Sequence, residues 1–365
     1  MVVLLWVCVG HGFAQTDLQR ARQGGPIIGD TRKLEGFSAY QLLSEMFMAM
    51  EEKWFVPAYE QGRSVDFNAS ISAELPAGAV NKRLQDKGED SIDFDLQVSG
   101  LATPNGHYRM DVDGGLGEVE MIKDHRRRFM SSPSFKSFSD APIRTRSENA
   151  NLTNYRGYIL RHVNSMKKKI MESGHYKAIY VGTGRHDGSD VHVIRVYKPN
   201  LRKRSKQKKP MKLNKLWTFW KDGGYEIWLD RGKRLPRVVF YTNSTDNVFA
   251  NFELEYDDQD LPKRINFNNN SLKSEGSGDV VLSYTREKTL RGFNIRFDGP
   301  AGMSFRMDAS LLFGKEPAPD AFRVIPPFGF RKINSDHLKL MVLTQISGGL
   351  LKLKKHGVNF KNFKF

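Results

Sequence analysis

Cysteine is all but absent: the 365 residues contain one, Cys8, inside the short apolar run MVVLLWVCVGHGFA. That run ends in small residues at Gly12 and Ala14, the layout of a secretory signal over 1–14 with cleavage before Gln15. No positive charge precedes the run, and a buried N-terminal strand or helix is the alternative reading. With Cys8 removed, the remaining chain forms no disulfide, which suits a bacterial periplasm better than a eukaryotic secretory route. The apolar run is too short to span a bilayer, and no small-residue box precedes Cys8 to mark a lipid anchor, so a soluble exported monomer is expected. The spacings that announce catalysis are also missing. There is no G-x-S-x-G, no H-E-x-x-H and no phosphate-cradling loop, so no catalytic residue, metal ligand or cofactor is expected. Acidic residues are in deficit, 41 against 57 Lys and Arg, for a net charge of +16. The excess is spread over many segments, and an exported protein meets anionic membrane surfaces rather than nucleic acid.

What the chain has in quantity is alternation. Residues 15–34 read as a flexible leader, after which SAYQLLSEMFMAMEEKW sets Ser38 and Gln41 in a capping-box pattern ahead of Leu42, Leu43, Met46, Phe47, Met50 and Trp54 at helical spacing. The period then becomes two. Val65, Phe67, Ala69, Ile71, Ala73 and Leu75 alternate with polar residues, as do Ile92, Phe94, Leu96 and Val98. GHYRMDVDG, GEVEMIKD, DVHVIRVY, KLWTFW, YEIWLD, RVVFYT, ANFELEY, KRINFNN, DVVLSY, GFNIRF and MSFRMD continue the pattern. Each such strand has one apolar and one wet face, the signature of antiparallel sheet covered on one side. Only 152–173 and 335–347 otherwise look helical. The fold class is mainly β (α+β), a single curved antiparallel sheet or barrel. One domain is expected over 35–333, followed by a C-terminal helix and basic amphipathic tail over 334–365.

Local clusters have modest readings. GRHDGSD, with His186, Asp187 and Asp190, reads as a hairpin loop before it reads as a metal site, and DVDGG from Asp111 as a turn rather than a calcium loop. The basic loop 200–212 and the tail lysines Lys352, Lys354, Lys355, Lys361 and Lys364 are candidates for docking to anionic lipid. The apolar strand faces are either packed core or the lining of a cavity, with Phe67, Ile71, Phe94, Leu96, Trp217, Trp228 and Phe305 as candidate lining residues.

Several stretches, in order, resemble the periplasmic outer-membrane lipoprotein carriers and lipoprotein-sorting proteins of LolA/LolB-like fold. TPNGHYRMDV is similar to their Arg-Pro-Asn turn and strand, with Thr103 in place of the arginine, and EMIKDHRRRFMSSP to their strand, Asp-Gly turn, aromatic strand and proline. In YEIWLDRGKRLPRVVF, Trp228, Asp230, Leu235 and Pro236 match a Trp-x-Asp…Leu-Pro element. In FRVIPPFGF, Phe322, Pro326, Pro327 and Gly329 match the carriers' last strand, whose prolines would end the edge of an open sheet. The resemblance implies an incomplete barrel with helices over its mouth, holding an acyl chain or lipidated protein without catalysis. An envelope sensor of the same fold is the alternative, and a secreted hydrolase a distant third. It also implies that Thr103 lies on a surface turn, where Thr103→Arg would leave stability within about ±0.5 kcal/mol.

Overall fold

The Ser38 hydroxyl accepts the Gln41 N–H at 3.0 Å and starts helix α1 (Ala39–Phe55) as the capping pattern requires, while the Gln41 side-chain amide donates to Glu45. Leu42, Leu43, Met46, Phe47 and Met50 recur on one face of this helix and are all buried. The structure is a computed structural model that describes residues 38–55, 63–76, 91–114, 117–124, 126–142, 163–172, 176–197, 224–242, 248–271, 274–299, 302–314, 316–318 and 320–346. The signal and leader, the loop 200–212, Trp217 and the five tail lysines lie outside them.

The alternating segments form strands. They are β1 (Val65–Pro76), β2 (Ser91–Ala102), β3 (Tyr108–Gly114), β4 (Gly117–Lys123), β5 (Arg127–Ser132), β6 (Ser137–Pro142), β7 (Lys177–His186) and β8 (Ser189–Tyr197). Then come β9 (Gly224–Asp230), β10 (Pro236–Thr242), β11 (Val248–Tyr256), β12 (Pro262–Ser271), β13 (Ser274–Tyr284), β14 (Leu290–Asp298), β15 (Ser304–Phe313) and β16 (Arg331–Lys332). They make one sheet in the order β16-β6-β5-β4-β3-β2-β1-β15-β14-β13-β12-β11-β10-β9-β8-β7, which does not close into a barrel. Two meanders meet at the β1–β15 pair, one running outward to β6 and the other to β7. Helix α2 (Ser335–Ile346) follows β16, and 163–172 is helical, ending in a π-helical turn over Lys168–Glu172.

The chain divides into two compact, interleaved units, Met1–Val56 with Arg156–Val281, and Pro57–Tyr155 with Leu282–Phe365. In the first, α1 packs on the face of the sheet that carries Ile194, Val196, Ile227 and Leu229, and Leu235 joins this core from the β9–β10 turn. The reverse face of the same strands buries Val191, Val193, Trp228 and Val238, with Phe240 against them. These strands are therefore apolar on both sides, where one wet side was expected; the run Val191–Ile194, buried at every position, is the sequence trace of that.

Two other expectations are corrected. FRVIPPFGF is not a strand: residues 320–330 run through turns and irregular backbone, and the strand at that edge of the sheet is Arg331–Lys332, after the prolines rather than before them. This strand pairs parallel with β6, whereas the other pairs described, such as β1 with β2 and β15, are antiparallel. Proline offers no N–H to a ladder, so pairing begins only once Pro326 and Pro327 have passed. Thr103 is not a surface residue but 7% exposed, its hydroxyl accepting the His107 N–H at 3.2 Å across the β2–β3 turn.

Candidate binding face

The second unit brings its apolar residues into register. Pairing sets Phe67 opposite Gly100 and Leu311, Ile71 opposite Leu96 and Met307, and Ala73 opposite Phe94 and Phe305. The flanking strands add Ile295 opposite Met307, Phe297 opposite Phe305, and Val112 opposite Val98. Directly opposed residues project to the same side of a sheet, so period-two alternation becomes one apolar face across β14, β15, β1, β2 and β3. Asp66, Asn68, Ser70, Ser72 and Glu74 alternate with it on β1.

Cover over this face is uneven. α2 lies against β4, β5 and β6, and its fully buried Leu338 closes a cluster with Val112, Val119 and Met130. Over β1, β2 and β15, Phe67, Ile71, Leu96, Phe305 and Met307 keep part of their surface exposed, while Val65 and Ala69 among them are buried. Phe67 reaches across Gly100: a Cβ there would lie 2.9 Å from Phe67 Cζ and 2.2 Å from the Arg109 carbonyl oxygen, so only glycine permits so close an approach.

Phe67, Ile71, Leu96 and Phe305 thus share one face, and Phe94 pairs with Ala73 along the same strands. Trp228 is in the other unit, on the side of β9 away from α1. There it meets His186 and Phe240 edge-on at 5.5 and 5.2 Å, and its Nε1 donates to Glu226 at 3.1 Å. Met307 was overlooked although it keeps phase with Phe305 in MSFRMD; Gly100 left no signal, because a glycine within a strand ordinarily reads as a weak point.

The first unit is closed where α1 seats. Ile194, Leu229, Leu235, Leu42 and Leu43 are completely buried, and polar ties surround the helix. Arg234 pairs with Glu45 at 2.8 Å, Lys53 pairs with Asp260, and Lys233 reaches the other oxygen of Asp260 at 2.5 Å. Burial by itself would raise the Asp260 pKa, but hydrogen bonds from Lys233 and Lys53 outweigh it and hold the carboxyl below its ordinary value. His192, 2% exposed and 3.0 Å from the Tyr180 hydroxyl, is held down to about 4 by burial, with Arg234 and Arg231 adding to the effect against an opposing Glu45.

The matched Trp-x-Asp…Leu-Pro element proves structural. Asp230 Oδ1 accepts the N–H groups of Gly232 and Lys233, and Oδ2 accepts two N–H groups of Arg237. At the β7–β8 hairpin, Asp187 and Gly188 both have positive φ and form a two-residue turn, so GRHDGSD is the hairpin loop it was read as. A polar cleft beside it, lined by His186, Arg237, Glu253 and Glu255, encloses about 70 Å³, room for a few waters and far below the roughly 300 Å³ at which small-molecule sites begin. Among the described residues no group of three or more His, Cys, Asp or Glu converges to hold a metal ion, and no helix is long and apolar enough to cross a membrane.

No family model matches the chain, and no curated relative does. Solved structures do. An outer membrane lipoprotein-sorting protein domain from Vibrio parahaemolyticus is 10% identical over 77% of this chain and 97% of its own, with a TM-score of 0.30. A LolA superfamily protein from Nitrosomonas europaea is 12% identical over 80% and 99%, TM-score 0.27. A DUF1329 family protein from Desulfovibrio piger is 9% identical over 78% and 95%, TM-score 0.24. At these identities and TM-scores the superpositions are too loose to transfer any residue or role.

Proposed function

We propose that the protein is an exported, non-catalytic binder of acyl chains, receiving a lipid or the lipid moiety of a lipidated protein on the half-covered apolar face of β14, β15, β1 and β2. The observation that carries this is the row Phe67, Ile71, Leu96, Phe305 and Met307, in register yet left partly in contact with water. Soluble proteins rarely leave contiguous apolar surface open without a use for it. An acyl chain laid along such a row gains about 0.8 kcal/mol per buried CH₂, so a dozen methylenes supply about 10 kcal/mol before ordering costs, with no chemistry required. The periplasm is the compartment proposed, on the signal-like N-terminus and the lack of disulfides. The test is mass spectrometry of organic extracts from protein purified out of its native envelope, beside an Ile71→Asp/Met307→Asp variant. Acyl lipid is expected with the wild type and at least tenfold less with the variant. Equal lipid in both, or none above a mock purification in either, would sink the proposal.

A further inference from the structure

The segment that failed to be a strand is built for display. Phe322 is anchored edge-on against His107, 5.7 Å between ring centroids. At the other end the Arg331 N–H donates to the Lys136 carbonyl and the Ile333 N–H to that of Phe138, each at 2.8 Å, fastening the loop's exit to β6. Between these anchors Pro326 and Pro327 restrict φ, and a turn closed by the Phe330 N–H on the Pro327 carbonyl places Gly329 at φ 79°. At its tip Phe328 is wholly exposed and Ile325 is 68% exposed. Single exposed apolar residues are ordinary; two within four positions, on a tip whose base is tied down and whose backbone is held by two prolines, are not explained by folding. Arg323 on the loop and Arg331, Lys332 and Lys136 at its exit are exposed; the acidic residues on the loop and just beyond it are Glu316, Asp320 and Asp336, the last paired with Lys339, so the segment carries a net positive charge.

We infer that this proline turn is an interfacial anchor for an anionic lipid surface: Ile325 and Phe328 enter the headgroup boundary while the four basic residues face the lipid phosphates. Aromatic and aliphatic side chains beside basic ones are the composition that binds such interfaces, each basic residue adding to the attraction. The inference is independent of the acyl-binding face: the tip meets a membrane whether or not the face holds a lipid.

Phe328→Trp in the full-length chain adds one indole to the five tryptophans of the wild type. The difference emission between the two proteins is expected to fall at least twofold with phosphatidylglycerol-containing vesicles whose acyl chains are brominated, and to stay unchanged with pure phosphatidylcholine vesicles. In flotation assays with the anionic vesicles, Ile325→Ser/Phe328→Ser is expected to bind at least tenfold more weakly at moderate salt, with an unchanged melting temperature. Arg323→Gln/Arg331→Gln/Lys332→Gln should abolish the quenching of the added indole. The inference is overturned if the protein floats while the added indole is unquenched, which would put the contact on another surface, or if the serine variant floats like wild type. It is equally overturned if the added emission changes with protein concentration alone, since the tip would then meet a second copy of the chain.

Discussion

Removing the Asp230 carboxylate should loosen the turn that seats α1, and the size of the effect follows from its bonds. Oδ1 accepts the Gly232 and Lys233 N–H groups at 2.9 and 2.8 Å, each worth about 1 kcal/mol net. Oδ2 lies 3.2 and 3.1 Å from Nε and Nη2 of Arg237, with side-chain exposures of 10% and 22% for the pair. Breaking a fully buried pair costs about 3–5 kcal/mol, but partial exposure lets water compensate Arg237, so about 1–2 kcal/mol applies here. Asp230→Ala should therefore cost about 3–4 kcal/mol and Asp230→Asn, which keeps an acceptor for the turn, about 1–2 kcal/mol. The turn also supplies buried Leu235 to the α1 core and holds Arg234, at φ 58°, against Glu45 of that helix. Urea unfolding followed by circular dichroism measures both variants, and a cycle with Arg237→Ala should return about 1–2 kcal/mol of coupling. Equal losses for Ala and Asn, or zero coupling, would refute this division between turn bonds and ion pair.

Three further outcomes are expected. His192 is held neutral at about 4 in the folded protein, whereas the unfolded chain takes up its proton near 6.5; stability should be full above pH 6.5 and fall by up to about 3 kcal/mol towards pH 4, and His192→Gln should flatten urea midpoints across that window, an unchanged slope refuting the assignment. Thr103→Arg removes the hydroxyl that accepts the His107 N–H in a buried turn and should cost about 1–2 kcal/mol, where a change under about 0.5 kcal/mol in thermal unfolding would restore the surface reading. Gly100→Ala drives a methyl to within 2.2 Å of the Arg109 oxygen and 2.9 Å of the Phe67 ring, so it should destabilise by about 1–3 kcal/mol and reduce lipid recovered with the protein; a variant as stable as wild type would mean that β2 shifts freely.

What was legible in the chain was whatever burial writes with a single period. β1, β2 and β15 are apolar on one face and polar on the other, so their alternation named both the strands and the side on which Phe67, Ile71 and Phe305 stand. β9 did not permit this: Ile227, Trp228 and Leu229 are apolar in succession, each phase is equally plausible, and the side taken by Trp228 could not be read. The interleaving of the two units left no linker or composition shift, because each is closed by pairing between distant strands, such as Phe67 with Leu311. The Pro-Pro segment misled through its alternation, Phe322, Val324 and the residues between, which imitates a strand although the backbone donors needed for pairing are missing just beyond it.

The uneven cover of the second unit is a matter of size. Eight strands from β14 through β15 and β1 to β6 span about 34 Å at 4.8 Å per step. α2, with 12 residues, is about 18 Å long and about 10 Å across, and it is committed to β4, β5 and β6 by Leu338. α1, with 17 residues and five buried apolar side chains, is committed to the other unit by Glu45, Lys53 and its own core. Among the described residues α2 cannot by itself dry eight strands: Leu96 packs beside the cluster that Leu338 closes, while Phe67, Ile71, Phe305 and Met307 retain water contact. A sequence selected only for stability would carry polar or smaller residues at those positions, as β1 does on its other side with Asp66, Ser70 and Ser72. On the proposed function, large apolar side chains kept beyond the reach of α2 are what a face requires when its cover is a ligand that comes and goes.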